Sequence, residues 1–572
     1  MLFRNVRVPR RFGHFLLAAA ISAGCMSSYG NSTDLSGSDL GDNESTDPPP
    51  PPPWTGSEDG GSSDESDAGS GDVDAGGGQD SGDAGTAPPP PHDRFRSAKV
   101  CATCHTTIYK QWSTSMHARA LTSPLTLAET NQVIRNPLAR ATSPDPKRFC
   151  VNCHSPTAAA VTTSASLPLD PASHADEGIS CTGCHQFNGK PTSGGGGIST
   201  SYQANLVDGT TYFGPLSDPV PNSSHTAQAG IAFTQRNLTC ANCHNVSLDL
   251  DHDGRIIKGE DLVLQQTFDE YSDYRRAGGQ ETCVTCHMPV ISGLTRVADG
   301  TSLQTPDRVV RNHSFVGVDY ALDDPNQDAA QAADREALLQ SSARFQIDRD
   351  SISDNNGLSF TVSIENARSG HNLPTGFAFT RQMWIEVRVV AASSGRLLFS
   401  SGLLTNPTDD LCDANILDEK DNPMREFIQG CNRSDENLVN IQAKLVDRVA
   451  VKRDGNGNIV FDQDGQPVLV QADNGQETTL QFLRGGPVAR TRPVDGQGLG
   501  SLQPFEIRNF RYSARIDTSQ PVTISARLMF RHMPPYFVRA LAAGQPANEL
   551  PQLAPLVANL RATEMASDSV DR

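Results

Sequence analysis

Five copies of one pentapeptide pattern, Cys-x-x-Cys-His, constrain this 572-residue chain more than any other feature. The cysteines are Cys101 and Cys104, Cys150 and Cys153, Cys181 and Cys184, Cys240 and Cys243, and Cys283 and Cys286; the histidines are His105, His154, His185, His244 and His287. Two thiols three residues apart share one helical turn and can form thioethers to both vinyl groups of one porphyrin, which puts the adjoining histidine under the iron as proximal ligand. Zinc and dithiol sites also use Cys-x-x-Cys, but they do not require histidine directly after every pair, as is the case here. The expected cofactors are therefore five haem c groups. All five motifs lie between residues 101 and 287, so a chain of this length should hold at least one further domain.

The remaining cysteines are Cys25 and the pair Cys412 and Cys431, a candidate disulfide closing a loop of about 20 residues. Haem attachment of this type and a disulfide both imply export to an oxidising compartment. The formal charge of −19 points away from a nucleic-acid partner. It is also unevenly placed. Between Asn31 and Arg94 there are fifteen Asp or Glu against one Arg, so −14 of the −19 belongs to that stretch and the rest of the chain is only mildly acidic.

Taken in order, residues 1–24 read as an export signal, with Arg4, Arg7, Arg10 and Arg11 before an apolar run from Phe15 to Ala23 that is too short to span a bilayer. The run ends in Ile21-Ser22-Ala23-Gly24-Cys25, which resembles the lipobox of bacterial lipoproteins. That resemblance implies lipidation of Cys25 and an outer-membrane lipoprotein facing the periplasm or the cell surface. Residues 25–96 are Gly, Ser, Asp and Pro, a composition that buries too little apolar surface to fold and reads as a disordered acidic tether. Residues 97–320 form the expected pentahaem domain, with short helical signals such as Thr106 to Met116 and Glu260 to Arg275, and with the porphyrins serving as core. Residues 321–345 read as a connecting helix.

From there the pattern changes to period two. Ser359 to Glu365, Gln382 to Val390, Leu397 to Ser401, Val446 to Val451, Ile459 to Phe461, Pro467 to Ala472, Phe505 to Ile516 and Val522 to Phe530 read as strands, and residues 346–555 as an antiparallel β-sandwich. The tail, residues 556–572, reads as helical and then frayed. The expected fold class is thus multidomain: a haem-packed, mostly helical and irregular cytochrome domain followed by the sandwich.

Several stretches around the motifs resemble a family. Thr106-Thr107-Ile108-Tyr109-Lys110-Gln111-Trp112-Ser113-Thr114-Ser115-Met116-His117, His174-Ala175-Asp176-Glu177-Gly178-Ile179-Ser180, and Gln266-Thr267-Phe268-Asp269-Glu270-Tyr271 leading to His287-Met288-Pro289 resemble multihaem c-type cytochromes of the hydroxylamine-oxidoreductase kind and their small tetrahaem electron acceptors. Ser369-Gly370-His371-Asn372-Leu373-Pro374-Thr375-Gly376 resembles the start of the β-domain at the C-terminus of many such cytochromes.

The second axial site on each iron separates a wire from an enzyme, because a second histidine closes the haem whereas an open position can bind substrate. The candidates are His117 and His174 within the stretches just quoted, His225, which stands 15 residues before Cys240, His313 in Arg311-Asn312-His313-Ser314-Phe315, and His371. Five candidates for five irons make complete bis-histidine ligation the simplest count. Asp249, Asp251, Asp253, Arg255 and Glu260 occupy the liganding positions of an EF-hand loop around Gly254, a candidate calcium site.

The leading expectation is an electron-transfer protein that exchanges electrons with redox protein partners in the cell envelope, held to the membrane by its N-terminal lipid; an oligomer is compatible with this. One alternative, permitted by the resemblance, is an oxidoreductase with one open haem acting on a small nitrogen or sulfur compound. Another is an adhesion or assembly protein whose β-domain binds partners.

Overall fold

The computed structural model describes residues 95–135, 146–161, 174–187, 206, 209–234, 238–248, 262–302, 305–355, 357–418, 424–442, 444–451, 469–471, 479–483, 501–545 and 553–572. All of them belong to one compact unit. The expectations for the signal sequence, Cys25, the tether and the calcium loop at Asp249 to Glu260 lie outside these residues.

The motif-bearing region is built from short helices joined by long connections. Pro124–Arg135, Pro146–His154 and Pro156–Val161 each begin with proline, whose fixed φ suits the first helical position and whose missing N–H costs nothing there. The helix expected to run from Thr106 to Met116 stops at Ser113, and the one expected from Glu260 starts only at Thr267. Two small ladders interrupt the helices: β1 (Thr211–Gly214) pairs parallel with β2 (Thr226–Ala229), and β3 (Val246–Leu248) pairs antiparallel with β4 (Leu262–Gln265). Apolar clusters here are small, Ala98 with Trp112 and Ala118, and Leu121 with Val151, Ala158 and Ala159.

The connecting helix spans Pro325–Ser342. Asp324 caps it by accepting from Asn326 and Gln327 N–H, and Pro325 opens it. Its buried stripe is polar. Gln327 Nε2 donates to Thr114 O at 2.8 Å, Gln331 Nε2 to Ser314 O at 3.3 Å, and Arg335 pairs with Asp328. Near its C-terminus Leu339 enters the sandwich core, so one helix is polar toward the haem region and apolar toward the sheets.

Two antiparallel sheets then share one core. One has the order β13-β6-β5, from β5 (Ala343–Ser353), β6 (Leu358–Asn366) and β13 (Ile507–Ala514); the other runs β15-β14-β7-β8, from β7 (Gln382–Ala391), β8 (Leu397–Ser401), β14 (Val522–Arg531) and β15 (Thr563–Asp571), with β9 (Val439–Ile441) also on β7. A separate sheet holds β10 (Lys444–Val451) between β11 (Leu469–Gln471) and β12 (Thr479–Leu483). Phe360, Val362 and Ile364 of β6 face Ile385, Val387 and Val389 of β7 and Ile524, Ala526 and Leu528 of β14, alternate residues that point inward as the strand period demands. Full burial of side chains of this size contributes about 1.5–3 kcal/mol each.

Two expectations are corrected, and the candidate disulfide forms. β5 starts at Ala343, inside the range read as helix, because Phe345 and Ile347 follow the two-residue period of the core face. Cys412 and Cys431 are bonded, with Cα atoms 5.4 Å apart. The tail is helical only as far as Asn559 and is not frayed: β15 pairs along β14, and Asp568 accepts from Ile347 N–H at 2.8 Å across to the other sheet. Its Ser, Asp and Glu residues hid a strand because one face of this edge is solvated.

Candidate haem centres

Each motif is set by local structure. Ser180 caps Cys181–His185 by accepting from Gly183 N–H, and Thr282 caps Cys283–His287 in a reciprocal capping box with Thr285. The first motif is held from afar. Glu177 accepts from Ala98 N at 2.7 Å and from Ser97 Oγ, Gly300 N donates to Cys104 O at 2.8 Å, and Asp299 accepts from Thr107 N–H and its hydroxyl. The motifs converge at their sulfurs. Cys101 neighbours Cys181, Cys153 neighbours Cys243, and Cys240 neighbours Cys283.

All five proximal rings have Nδ1 engaged. His105 reaches Val297 O at 2.9 Å, His154 Ala120 O at 2.6 Å, His185 Phe213 O at 2.7 Å and His287 Val316 O at 2.6 Å, while His244 Nδ1 meets the side-chain amide of Gln265 at 2.9 Å. A ring that donates Nδ1–H to a carbonyl carries its lone pair on Nε2, which is the tautomer an iron ligand needs. Burial favours the neutral form of four of them: it lowers the pKa of His154, His185 and His287, and that of His244 to about 4.

The candidate second ligands converge on these rings from distant parts of the chain. His225 stands with its ring centre 6.3 Å from that of His105, His117 6.3 Å from His244, and His371 6.4 Å from His287. Two imidazoles on opposite faces of one iron, each with a metal–nitrogen bond of about 2 Å, have ring centres about 6 Å apart, so all three pairs fit a shared haem iron. The donor chemistry fits too. Among the described residues His117 Nδ1 is buried without a hydrogen-bond partner, and burial lowers His117 to about 3 and His371 to about 4, so neutral imidazole is what both present.

His313 has Nδ1 on Arg311 O at 2.8 Å, is lowered to about 4 mainly by burial and then by the charge of His185, and receives Gln111 Oε1 on its backbone N–H. Phe315 packs between His313 and His117, with ring centres at 5.6 and 4.6 Å. His174 lies in a left-handed turn, φ 54°, whose carbonyl accepts from Glu177 N–H at 3.0 Å. Among the described residues, imidazole pairs at the 6.3–6.4 Å spacing are found for three of the five proximal histidines.

Residues 100–186, which include the first three motifs, match the family model described as cytochrome c554 and c-prime. This match and the five motifs support a multihaem c-type cytochrome. Its structure is similar to the crystal structure of a penta-heme cytochrome c552 from Thermochromatium tepidum, with TM-score 0.47 and 20% identity over 84% of this cytochrome and 100% of that chain. None of the curated proteins matches it. Sequence reading missed the residues that orient the ligands: Gln265 on His244, Glu177 on the first motif, and Asp299 and Val297 beside His105. Glu177 lay in a stretch marked by resemblance but without its role, and no local signal marks the others, since they act on groups from about 20 to nearly 200 positions away and only the folded chain brings the partners together.

Proposed function

We propose that this cytochrome is a pentahaem electron-transfer protein of the cell envelope, exported as a lipoprotein anchored at Cys25, in which every haem is closed by two histidines. The assignments are His225 with His105, His117 with His244, His371 with His287, His313 with His185, and His174 with His154. The observation that carries this reading is the set of three imidazole pairs at 6.3–6.4 Å, each made of one motif histidine and one histidine remote in sequence.

Haem c supplies a one-electron iron couple when bound; everything else is done by the chain. Cysteine pairs would fix the porphyrin, carbonyl oxygens orient four of the five proximal rings through Nδ1–H, and the second histidines would occupy the position a substrate would need. Cysteines of the first and third, the second and fourth, and the fourth and fifth motifs are neighbours, which favours closely packed haems, the requirement for electrons to pass along the protein. Redox proteins of the envelope are the partners this implies.

Carbon monoxide tests the reading, because it binds ferrous haem only where the sixth position is open. The reduced holoprotein should show no carbon monoxide shift at any haem, and His117→Ala should open one. A shift in the wild type would point to an enzyme with an open haem, and a silent His117→Ala would remove that residue from the ligand set.

A further inference from the structure

A hydrogen-bonded path joins two of the candidate iron ligands through side chains that no motif contains. It starts at His244 Nδ1, which meets Gln265 Nε2 at 2.9 Å; that amide also donates to Thr267 Oγ1 at 3.4 Å. Thr267 Oγ1 lies 3.0 Å from Thr375 Oγ1, and the Thr375 hydroxyl donates to Glu270 Oε2. The same carboxylate oxygen accepts from Asn372 N at 3.2 Å, and Asn372 O holds His371 Nδ1 at 2.8 Å. The first half of the path belongs to β4 and the helix Thr267–Arg276 of the haem region, the second half to the loop that follows β6 in the sandwich.

Within the sandwich, that loop is tied to its own strand. Asn366, the innermost polar residue at the end of β6, donates to His371 O at 2.8 Å and accepts from Ser369 Oγ at 2.5 Å. These bonds fix the backbone of residue 371 to the sheet, but they do not set where the imidazole stands relative to His287 in the other region. That placement needs a bond across the boundary, and Glu270 makes two, one on each side of Pro374. Tyr274, one turn further along the helix, packs against Gly370 and stacks on Phe505 with ring centres 5.3 Å apart, so the helix also meets the loop by shape.

Resting on the bis-histidine reading above, we propose that Glu270 is a positioning residue for His371: its carboxylate latches the sandwich loop to the haem region and so closes the sixth position of the haem attached at Cys283 and Cys286. The sandwich is then a ligand-delivering module, and that haem is six-coordinate only while the loop is docked. A small diatomic ligand is the class of molecule that would reach the iron when the latch is undone.

The test uses reduced full-length holoproteins titrated with carbon monoxide, with ferric spin state as a second readout. Glu270→Ala should gain one carbon-monoxide-binding, high-spin haem, and His371→Ala should open the same one. Glu270→Gln, whose amide oxygen can accept from the same two donors, should stay closed like the wild type. If His371→Ala opens a haem while folded Glu270→Ala stays low-spin and silent, the latch is overturned and the ligand reading stands. If His371→Ala leaves every haem closed, both fail. Should Glu270→Ala not accumulate as holoprotein, Thr375→Val removes one of the two donors and should let that haem bind carbon monoxide where the wild type binds none; a silent, folded variant overturns the latch.

Discussion

His532 is a buried side chain whose surroundings leave both ring nitrogens without partners, although it is only 2% exposed. Its ring packs on Tyr320, centres 4.3 Å apart, and its carbonyl accepts from Arg381, which is itself paired with Asp319. Burial lowers its pKa to about 3; Asp319 opposes that shift, and Arg381, Arg335 and Arg531 add to it. The folded-state value lies below the unfolded value of 6.5, so between the two the unfolded chain binds the extra proton. Stability from this group is whole above pH 6.5 and drains as the pH falls toward 3, at up to about 1.4 kcal/mol per unit. Urea unfolding of the holoprotein at pH 7 and pH 4.5 should show this loss, and His532→Phe should recover on the order of 2 kcal/mol of it at the lower pH. A pH slope unchanged in the variant would place the effect elsewhere. This residue shows how little sequence says about a lone histidine: the iron-ligand candidates could be singled out by their neighbours, whereas His532 takes its character mostly from Tyr320, Asp319, Arg335 and Arg381, more than 150 positions away.

At the scale of an element, the turn from His174 to Ile179 does the most with the fewest residues. Ile179 N donates to His117 O at 2.9 Å, Ile179 O accepts from Trp112 Nε1 at 2.8 Å, and Glu177 holds the start of the first motif helix. Gly178 makes this closeness feasible. Its φ is +58°, and a Cβ there would sit 2.4 Å from His117 O and 2.9 Å from Ala120 N. Gly178→Ala should therefore displace the turn, cost at least about 1–3 kcal/mol, and loosen His117 along with it. Lower thermal stability together with a new carbon-monoxide-binding haem is the expected pair of results; lost stability with all haems still closed would mean that the turn supports the fold but not the ligand. The stretch containing Glu177 and Gly178 stood out in the sequence by resemblance. The reason for it, backbone against backbone across some 60 residues, did not.

For the whole molecule, the last ten residues matter out of proportion to their polarity. β15 closes one edge of the sandwich along β14, Met565 enters the core, and Asp568 bonds Ile347 N and pairs with Arg349 on β5, which lowers the Asp568 carboxyl to about 2. Removing residues 563–572 would bare an eight-pair strand edge and unseat Met565, whose full burial alone is worth about 1.5–3 kcal/mol. Such a truncation should melt earlier and aggregate. If β15 were a dispensable tail, as its composition first suggests, the truncated protein would melt with the full-length one. Through Leu339 and the polar helix Pro325–Ser342, damage to the sandwich would reach the haem region as well.

What the sequence alone determined is the chemistry that depends on short spacing: five thiol pairs with their histidines, and the alternating strands that each bury one face. Both are written within a few residues, because covalent attachment needs one helical turn and a pleated strand repeats every two. What only the tertiary structure decided is pairing. Which remote histidine meets which motif, which carbonyl turns each imidazole, and that the tail completes a sheet all depend on groups tens to hundreds of residues apart, and hydrogen bonds and ring spacings of that kind come into being only when the chain closes on itself.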